Sequence, residues 1–407
     1  MKTRRVVITG MGLLCPLGNS PGTFFDNLIA GATGIVRHPN PAVVKPVGMV
    51  REDVARHFTK LQQLDLDRVS QLSLLAAQQA LDMAGLVAPL GNEAGMFFGT
   101  GAGGIESIEQ AYSSFFGAGG DDHKLLTILS AMPNAAASQV AMRHGIRGEC
   151  QTYSSACSSS AVAIGEAFRR VRDGYLDRAV AGGGESMLSP GVLDSWNSMR
   201  VLCDDPEQAP GTGCRPFSGD RCGFALAEGA AFVVLETLDA ARDRGAFVVA
   251  EIVGYGVSND ASHMSRPQPQ GQMLAMQRAM AMMRGKPQKI GYINANGTAT
   301  QAGDVTETRA IKMVFGDHAH QTPVSSTKSA HGHLVGAAGA VEFIASLMAL
   351  HRQIVPPTTH WASRDPECDL DYVPHVGRLV DNLTHVMSNS FAFGGSNASL
   401  IAQRLES

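Results

Sequence analysis

The chain has 407 residues, 45 of them glycine, with 44% apolar, 6% aromatic and 17% charged side chains and a net charge of −4. Glycine thus makes up about 11% of the chain, against a usual share of about 7%. This balance excludes a disordered chain, a collagen-like fibre and a nucleic-acid binder that relies on a general positive field, and the length suggests one large core or two to three smaller ones.

Short apolar runs ending in or near glycine recur: Val6–Gly10, Gly95–Gly99, Ala179–Gly182, Phe232–Leu235, Ile252–Gly254 and Ile290–Ala295. The first, Val6–Gly10, reads as a strand entering a glycine turn rather than a leader peptide, because Thr9, Gly10 and Gly12 break its apolar run. Arg68–Ala84 follows as a helix, with Leu72, Leu75, Ala76, Ala80 and Met83 at helical spacing and Gly85 as its stop. Gly99-Thr100-Gly101-Ala102-Gly103-Gly104 satisfies GxGxxG after a strand, the entry to a dinucleotide fingerprint. The context then fails, since no second strand ends in an acid about 20 residues on. Gly117–Asp122 reads as a loop instead.

Gln151–Ser160 is small and polar, and a helix follows it with Ala161, Ile164, Phe168 and Val171 on one face and Gly174 at its end. Cys157 therefore stands at a helix N-terminus, where unpaired N–H groups and the helix dipole favour a thiolate nucleophile. An inert buried thiol is the competing reading. Further on, Asn294–Thr300 follows the strand Gly291–Ile293, and Ser325–His333 leads into Leu334–Glu342. Lys328 lies in a Gly/Ala-rich stretch and needs a partner if buried; Glu342 is the nearest acid downstream. Val341–Leu350 reads as another helix.

Alternating strands and helices point to an α/β architecture with mainly buried strands. Ile8-Thr9-Gly10-Met11-Gly12 resembles Ile252-Val253-Gly254-Tyr255-Gly256, and each half later runs a strand into glycines, at Gly182–Gly184 and Gly394–Gly395. The expected organisation is two similar halves, 1–245 and 246–407, with Cys157 in the first and the Asn, Lys and His loops in the second. The seven cysteines show no CxxC pair and no zinc-ligand spacing, which favours a reducing cytoplasm over a disulfide framework. Val6–Phe25, Leu125–Met142 and Asn382–Gln403 lack Asp, Glu, Lys and Arg, but polar and breaking residues interrupt each, so no membrane span is expected.

The Cys157 segment, Asn294–Thr300 and Lys328–Glu342 together resemble the three signature regions of β-ketoacyl–acyl carrier protein synthases, nearest the elongating type II branch. Cys214–Phe217 with Gly223-Phe224 and Glu228-Gly229, Ser388–Phe391 with Phe393–Gly395, and the opening Val7–Gly18 extend the likeness in order over almost the whole chain. The resemblance implies a five-layered α-β-α-β-α thiolase fold, a homodimer or related heterodimer, and no metal or organic cofactor. It implies that Cys157 takes an acyl chain from acyl carrier protein and that malonyl-carrier protein, losing CO2, supplies the enolate that attacks it. Backbone N–H groups of Cys157 and Phe393 would form the oxyanion hole, with Phe393 also the gate. His333 would stabilise the enolate, and Lys328 with Glu342 would hold the histidine loop. Since the carrier is acidic in this family, Arg68, Lys124 and Arg200 are candidate docking cations by position, with solvated surface charge an equal alternative.

Three departures qualify this reading. Asn296 stands where the family has the first of two catalytic histidines; its amide can donate to an oxyanion but cannot act as a base. His331 replaces a usual threonine, either supplying the missing imidazole or, as the favoured reading, lying exposed in the loop. Ala392 replaces a usual glycine in the gate, where a positive φ would be disfavoured. Ser218 and Cys222 also replace aspartates common in their loop. The leading expectation is decarboxylative condensation in fatty acid or polyketide synthesis. Acyl transfer or thioester hydrolysis without condensation is the second. A non-condensing subunit of a heterodimer is the third, disfavoured by the retained Cys157, Lys328 and His333.

Overall fold

The computed structural model describes residues 3–117, 125–283 and 290–405. Its largest sheet has ten strands. In chain order these are β1 (Val6–Leu14), β2 (Ala94–Gly99), β3 (Cys150–Tyr153), β4 (Arg178–Glu185), β5 (Gly229–Thr237), β6 (Ala250–Asn259), β7 (Ile290–Asn294), β8 (Val324–Ser325), β9 (His385–Phe391) and β10 (Ser396–Gln403). Across the sheet the order is β8-β7-β9-β10-β6-β1-β5-β4-β2-β3. The first half thus reads β3-β2-β4-β5-β1 from its edge, and the second repeats it five strands later. The pairing repeats as well: β2 runs parallel to β3 and β4, while β5 runs antiparallel to β4 and β1. In the second half β7 runs parallel to β8 and β9, while β10 runs antiparallel to β9 and β6. The two halves join where β1 pairs antiparallel with β6, Val7 opposite Glu251.

Glycine makes the duplication visible in the packing. A Cβ on Gly10 or Gly12 would lie 2.0 Å from the carbonyl oxygens of Ala80 and Ala76 on helix α1 (Arg68–Ala84). Gly254 and Gly256 have the same relation to Ala279 and Ala275 of the later helix Pro269–Ala281. These glycines let a helix press directly onto a strand. They sit inside β1 and β6 rather than in turns, so the turn expected at Gly10 is replaced by strand continuing to Leu14. Gly182–Gly184 likewise lie within β4.

Strands buried on both faces explain the unbroken apolar runs. Phe97, Ala181 and Val233 face inward onto two central helices, α2 (Ser159–Arg172) and the later Ala338–Arg352, whereas Phe98, Val180 and Phe232 face outward onto α1. Gly339 allows the central pair to touch, since a Cβ there would lie 2.8 Å from that of Ala161. On the far side, Ile293, Met387 and Ile401 pack under α3 (Pro269–Ala281) and α4 (Gln301–Phe315). With α5 (Ala338–Arg352) beside α2, the layers run α-β-α-β-α, the thiolase fold. The expected helices are present, Arg68–Ala84 ending on Gly85 at φ 65 and Val341–Leu350 lying within α5.

Candidate active site

Beyond β3, a single 3-10 turn, Ala156–Ser158, continues directly into α2. Ala156 adopts φ 48, a left-handed conformation uncommon for a residue with a Cβ. Small hydroxyls hold the turn: the Ser155 N–H donates to Ser159 Oγ at 2.9 Å, Ser159 Oγ donates to Ala156 O at 2.6 Å, and Ser158 Oγ donates to Ser155 O at 2.9 Å. Cys157 is buried at the head of the central helix, 3.0 Å from His333 Nε2. The Phe393 backbone N–H also donates to the thiol. Burial pushes that thiol up to about 11, although the Lys328 charge and the Phe393 N–H pull it down. Burial, the largest cause, thus works against the thiolate expected from the helix terminus.

His333 is buried and neutral, held well below the usual imidazole range by burial and then by the Lys328 charge. Its Nδ1 accepts from the Val335 N–H at 3.3 Å. The ring proton therefore belongs on Nε2, facing Cys157. Phe224 packs edge-on against the ring, with centroids 4.9 Å apart.

After β7, the Ala295–Thr300 loop is clamped by a carboxylate from α4: Glu307 accepts from the Asn296 and Gly297 N–H groups at 2.9 and 2.8 Å. Lys328, fully buried, forms an ion pair with the equally buried Glu342. It also donates to Asn296 O at 2.6 Å and lies 3.4 Å from Asn296 Oδ1. An ammonium offers only donors, so the Asn296 oxygen faces Lys328 and its Nδ2 is free to donate into the site.

A cavity of about 540 Å³ brings together Cys157, Asn296, His333 and Phe391–Phe393, with Thr298 and Thr300 on its wall. The Phe393 ring lies 6.3 Å from that of Trp196, which packs edge-on to Phe224 at 5.8 Å. Phe393 thus connects to His333 through an aromatic chain. Ala392 is extended at φ −114, and Gly394 and Gly395 carry the left-handed turns at φ 80 and 76. In this state Ala392 meets none of the strain expected of it.

Other expected residues fall elsewhere. His331 is fully buried rather than exposed, and it is not part of the cavity wall. Its Nδ1 bonds to Gly332 O at 2.8 Å and its Nε2 to Thr327 Oγ1 at 2.9 Å, so it does not supply the missing imidazole. Arg68 donates from Nε and Nη2 to the two carboxylate oxygens of the buried Glu228, at 2.5 and 2.6 Å, which makes it a structural ion pair rather than a docking cation. Arg200 is exposed at the cavity mouth, joined there by Arg266, which sequence reasoning missed. Lys124 lies outside the described residues. Ser218 is buried and accepts from the Ala362 and Ser363 N–H groups at 3.1 and 3.0 Å, while Cys222 lines the cavity.

Two carboxylates also escaped notice. Glu307 had a signal, since an acid on the second turn of a helix can reach back to the loop before it. Glu185 had none. Fully buried, it accepts from the Gly101, Ala102 and Gly336 N–H groups at 2.6, 3.3 and 2.9 Å and from Thr100 Oγ1 at 3.2 Å. The glycine loop that resembled a phosphate cradle is thus filled by an internal carboxyl group, which burial raises to about 7.

Residues 3–241 match the family model "Beta-ketoacyl synthase, N-terminal domain", and residues 249–362 match "Beta-ketoacyl synthase, C-terminal domain". Nodulation protein E of Rhizobium meliloti (strain 1021) is 41% identical over 403 residues, covering 98% of each chain. 3-Oxoacyl-[acyl-carrier-protein] synthase 2 of Staphylococcus aureus (strain COL) is 38% identical over 416 residues, covering 100% of this chain and 99% of the relative. The solved structure of the ishigamide ketosynthase/chain length factor superposes with a TM-score of 0.91 at 29% identity, covering 99% of this chain and all of that one.

Proposed function

The chain belongs to the β-ketoacyl synthase family, and we propose that it takes an acyl chain from acyl carrier protein onto Cys157 and condenses it with malonyl-carrier protein. The observation that carries this reading is the 3.0 Å approach of His333 Nε2 to Cys157 Sγ inside one cavity with Asn296 and Phe393. In the first step the Cys157 sulfur attacks the acyl thioester carbonyl, and the carrier thiol leaves with the proton that Cys157 gives up. The Cys157 and Phe393 N–H groups hold the oxyanion. In the second, malonyl-carrier protein loses CO2, and His333 Nε2–H with Asn296 Nδ2–H stabilises the enolate oxygen. The enolate carbon attacks the acyl carbonyl, the bond to Cys157 Sγ breaks, and the ketoacyl chain stays on the carrier. Lys328, balanced by Glu342, fixes the Asn296 loop.

Asn296 favours one alternative: with no base at that position, acyl transfer could proceed while decarboxylation lags. Acyl-carrier protein should label Cys157 and leave a Cys157→Ala variant unlabelled. Labelling of both would remove the nucleophile from this account.

Arg200 and Arg266 at the mouth suit an acidic carrier. A dimer is proposed on the free edge of the sheet at β3, and the exposed rings of Tyr112 and Phe116 are further apolar surface a partner could cover. Either a second copy or a related ketosynthase would cover that face. The repeated strand order supports a boundary between halves at 245/246. Free thiols at all seven cysteines suit a cytoplasmic location. No helix among the described residues is long and apolar enough to cross a membrane.

A further inference from the structure

The cavity wall includes one buried polar group that the proposed chemistry does not use. Gln272, the fourth residue of α3, is 2% exposed and lines the same cavity as Cys157, and its Oε1 has no hydrogen-bond partner among the described residues. A buried carbonyl oxygen without a donor is costly, and most such groups are satisfied. The position is rigid. A Cβ on the preceding Gly271 would lie 1.9 Å from Asp260 Oδ1 and 2.9 Å from Asn397 Nδ2, so the start of α3 is pressed against the segment following the gate. Asn397 Nδ2 in turn donates to Asp260 Oδ1 at 2.7 Å and to Gly395 O at 3.1 Å. One turn along the same helix face, Met276 Sδ lies 3.5 Å from Asn389 Nδ2, which is also 3.5 Å from the Glu307 carboxylate that clamps Asn296.

The reacting end of the cavity is rich in donors. His333 Nε2–H, the Phe393 N–H and Asn296 Nδ2 can all serve an oxyanion, but none can serve an incoming N–H. The carrier's phosphopantetheine arm brings two secondary amides, each with an N–H that loses water on entry. We propose that the Gln272 side-chain amide is a substrate-binding group that turns its Oε1 into the cavity to accept a hydrogen bond from one of these amide N–H groups. The enzyme then reads the arm as well as the acyl chain. This inference rests on the carrier-dependent condensation proposed above and adds a specificity residue to it.

The test uses the full chain with acyl- and malonyl-pantetheine thioesters, together with two analogues in which each amide N–H in turn is replaced by an ester oxygen. The wild type should prefer the all-amide substrate over one of the analogues by about tenfold in kcat/KM, mainly through KM. Gln272→Leu should lose about the same factor on the all-amide substrate and nothing further on that analogue, while iodoacetamide alkylates Cys157 at an unchanged rate. Gln272→Met serves if the leucine variant folds poorly. Equal use of all three substrates by the wild type, or an equal loss on all three in the variant, overturns the inference. A wild type that neither acylates Cys157 nor condenses any of them defeats the carrier reading instead.

Discussion

His333 presents Nε2 to Cys157 Sγ at 3.0 Å while its Nδ1 accepts from the Val335 N–H. The second bond decides the role of the first. With Nδ1 occupied as an acceptor, the neutral ring must donate from Nε2, so His333 is placed to donate towards negative charge and is not set up to pull the proton from Cys157.

Burial raises the Cys157 thiol to about 11. Alkylation by iodoacetamide at Cys157 should rise about tenfold per pH unit from pH 7 to 10, following the thiolate fraction. A plateau below pH 8 would show a thiolate already formed.

Asn296 marks the step most open to improvement. Asn296→His should raise CO2 release from malonyl-carrier protein by about a hundredfold or more, the usual range for a positioned base. Asn296→Ala, which removes the Nδ2 donor, should lower it by a similar factor. Radiolabelled CO2 measures both, and an unchanged rate in both variants would remove Asn296 from the reaction.

The docking cations separate by their partners. Charge reversal at Arg200 or Arg266 should raise the KM for carrier-bound substrate several-fold, more at low salt than at high. Arg68→Met should leave that KM unchanged and lower the melting temperature, because it strands the buried Glu228 carboxylate. A carrier defect in Arg68→Met without loss of stability would reverse the assignment.

His331 supplies a pH test of its burial. Its value falls to about 3, with burial the largest cause and the Lys328 charge next. Below about pH 6.5 the unfolded chain binds a proton that the folded chain refuses, so stability is present above that pH and lost as pH falls towards 3. Between pH 6.5 and 5 this group alone should remove about 2 kcal/mol. His331→Leu should escape that loss, so urea midpoints of the two proteins should converge on acidification. A constant difference would contradict the buried neutral ring.

The local signals in the sequence were those that act within one segment. Gly85 ended α1, the small residues around Cys157 allowed a tight turn into α2, and the lack of another nearby acid paired Lys328 with Glu342. The signals that failed depended on partners distant in the chain. Arg68 looked like a surface cation until Glu228, 160 residues on, took its Nε and Nη2 donors. His331 looked like a loop residue because nothing near it in sequence announces Phe24 as part of its enclosure. The Cys157 helix terminus was legible, but the desolvation that works against it comes from the packing of both halves. Glycine, first read as turns, proved to be contact: Gly10 and Gly12 admit one helix, and Gly254 and Gly256 its counterpart.

The most direct measurement loads the protein with acyl-carrier protein, adds malonyl-carrier protein and follows acyl-Cys157, CO2 and ketoacyl product by mass spectrometry. The account predicts an acyl adduct on Cys157 that disappears as CO2 and ketoacyl-carrier appear in equal amounts. An adduct that persists with neither CO2 nor product would contradict condensation and leave acyl transfer alone.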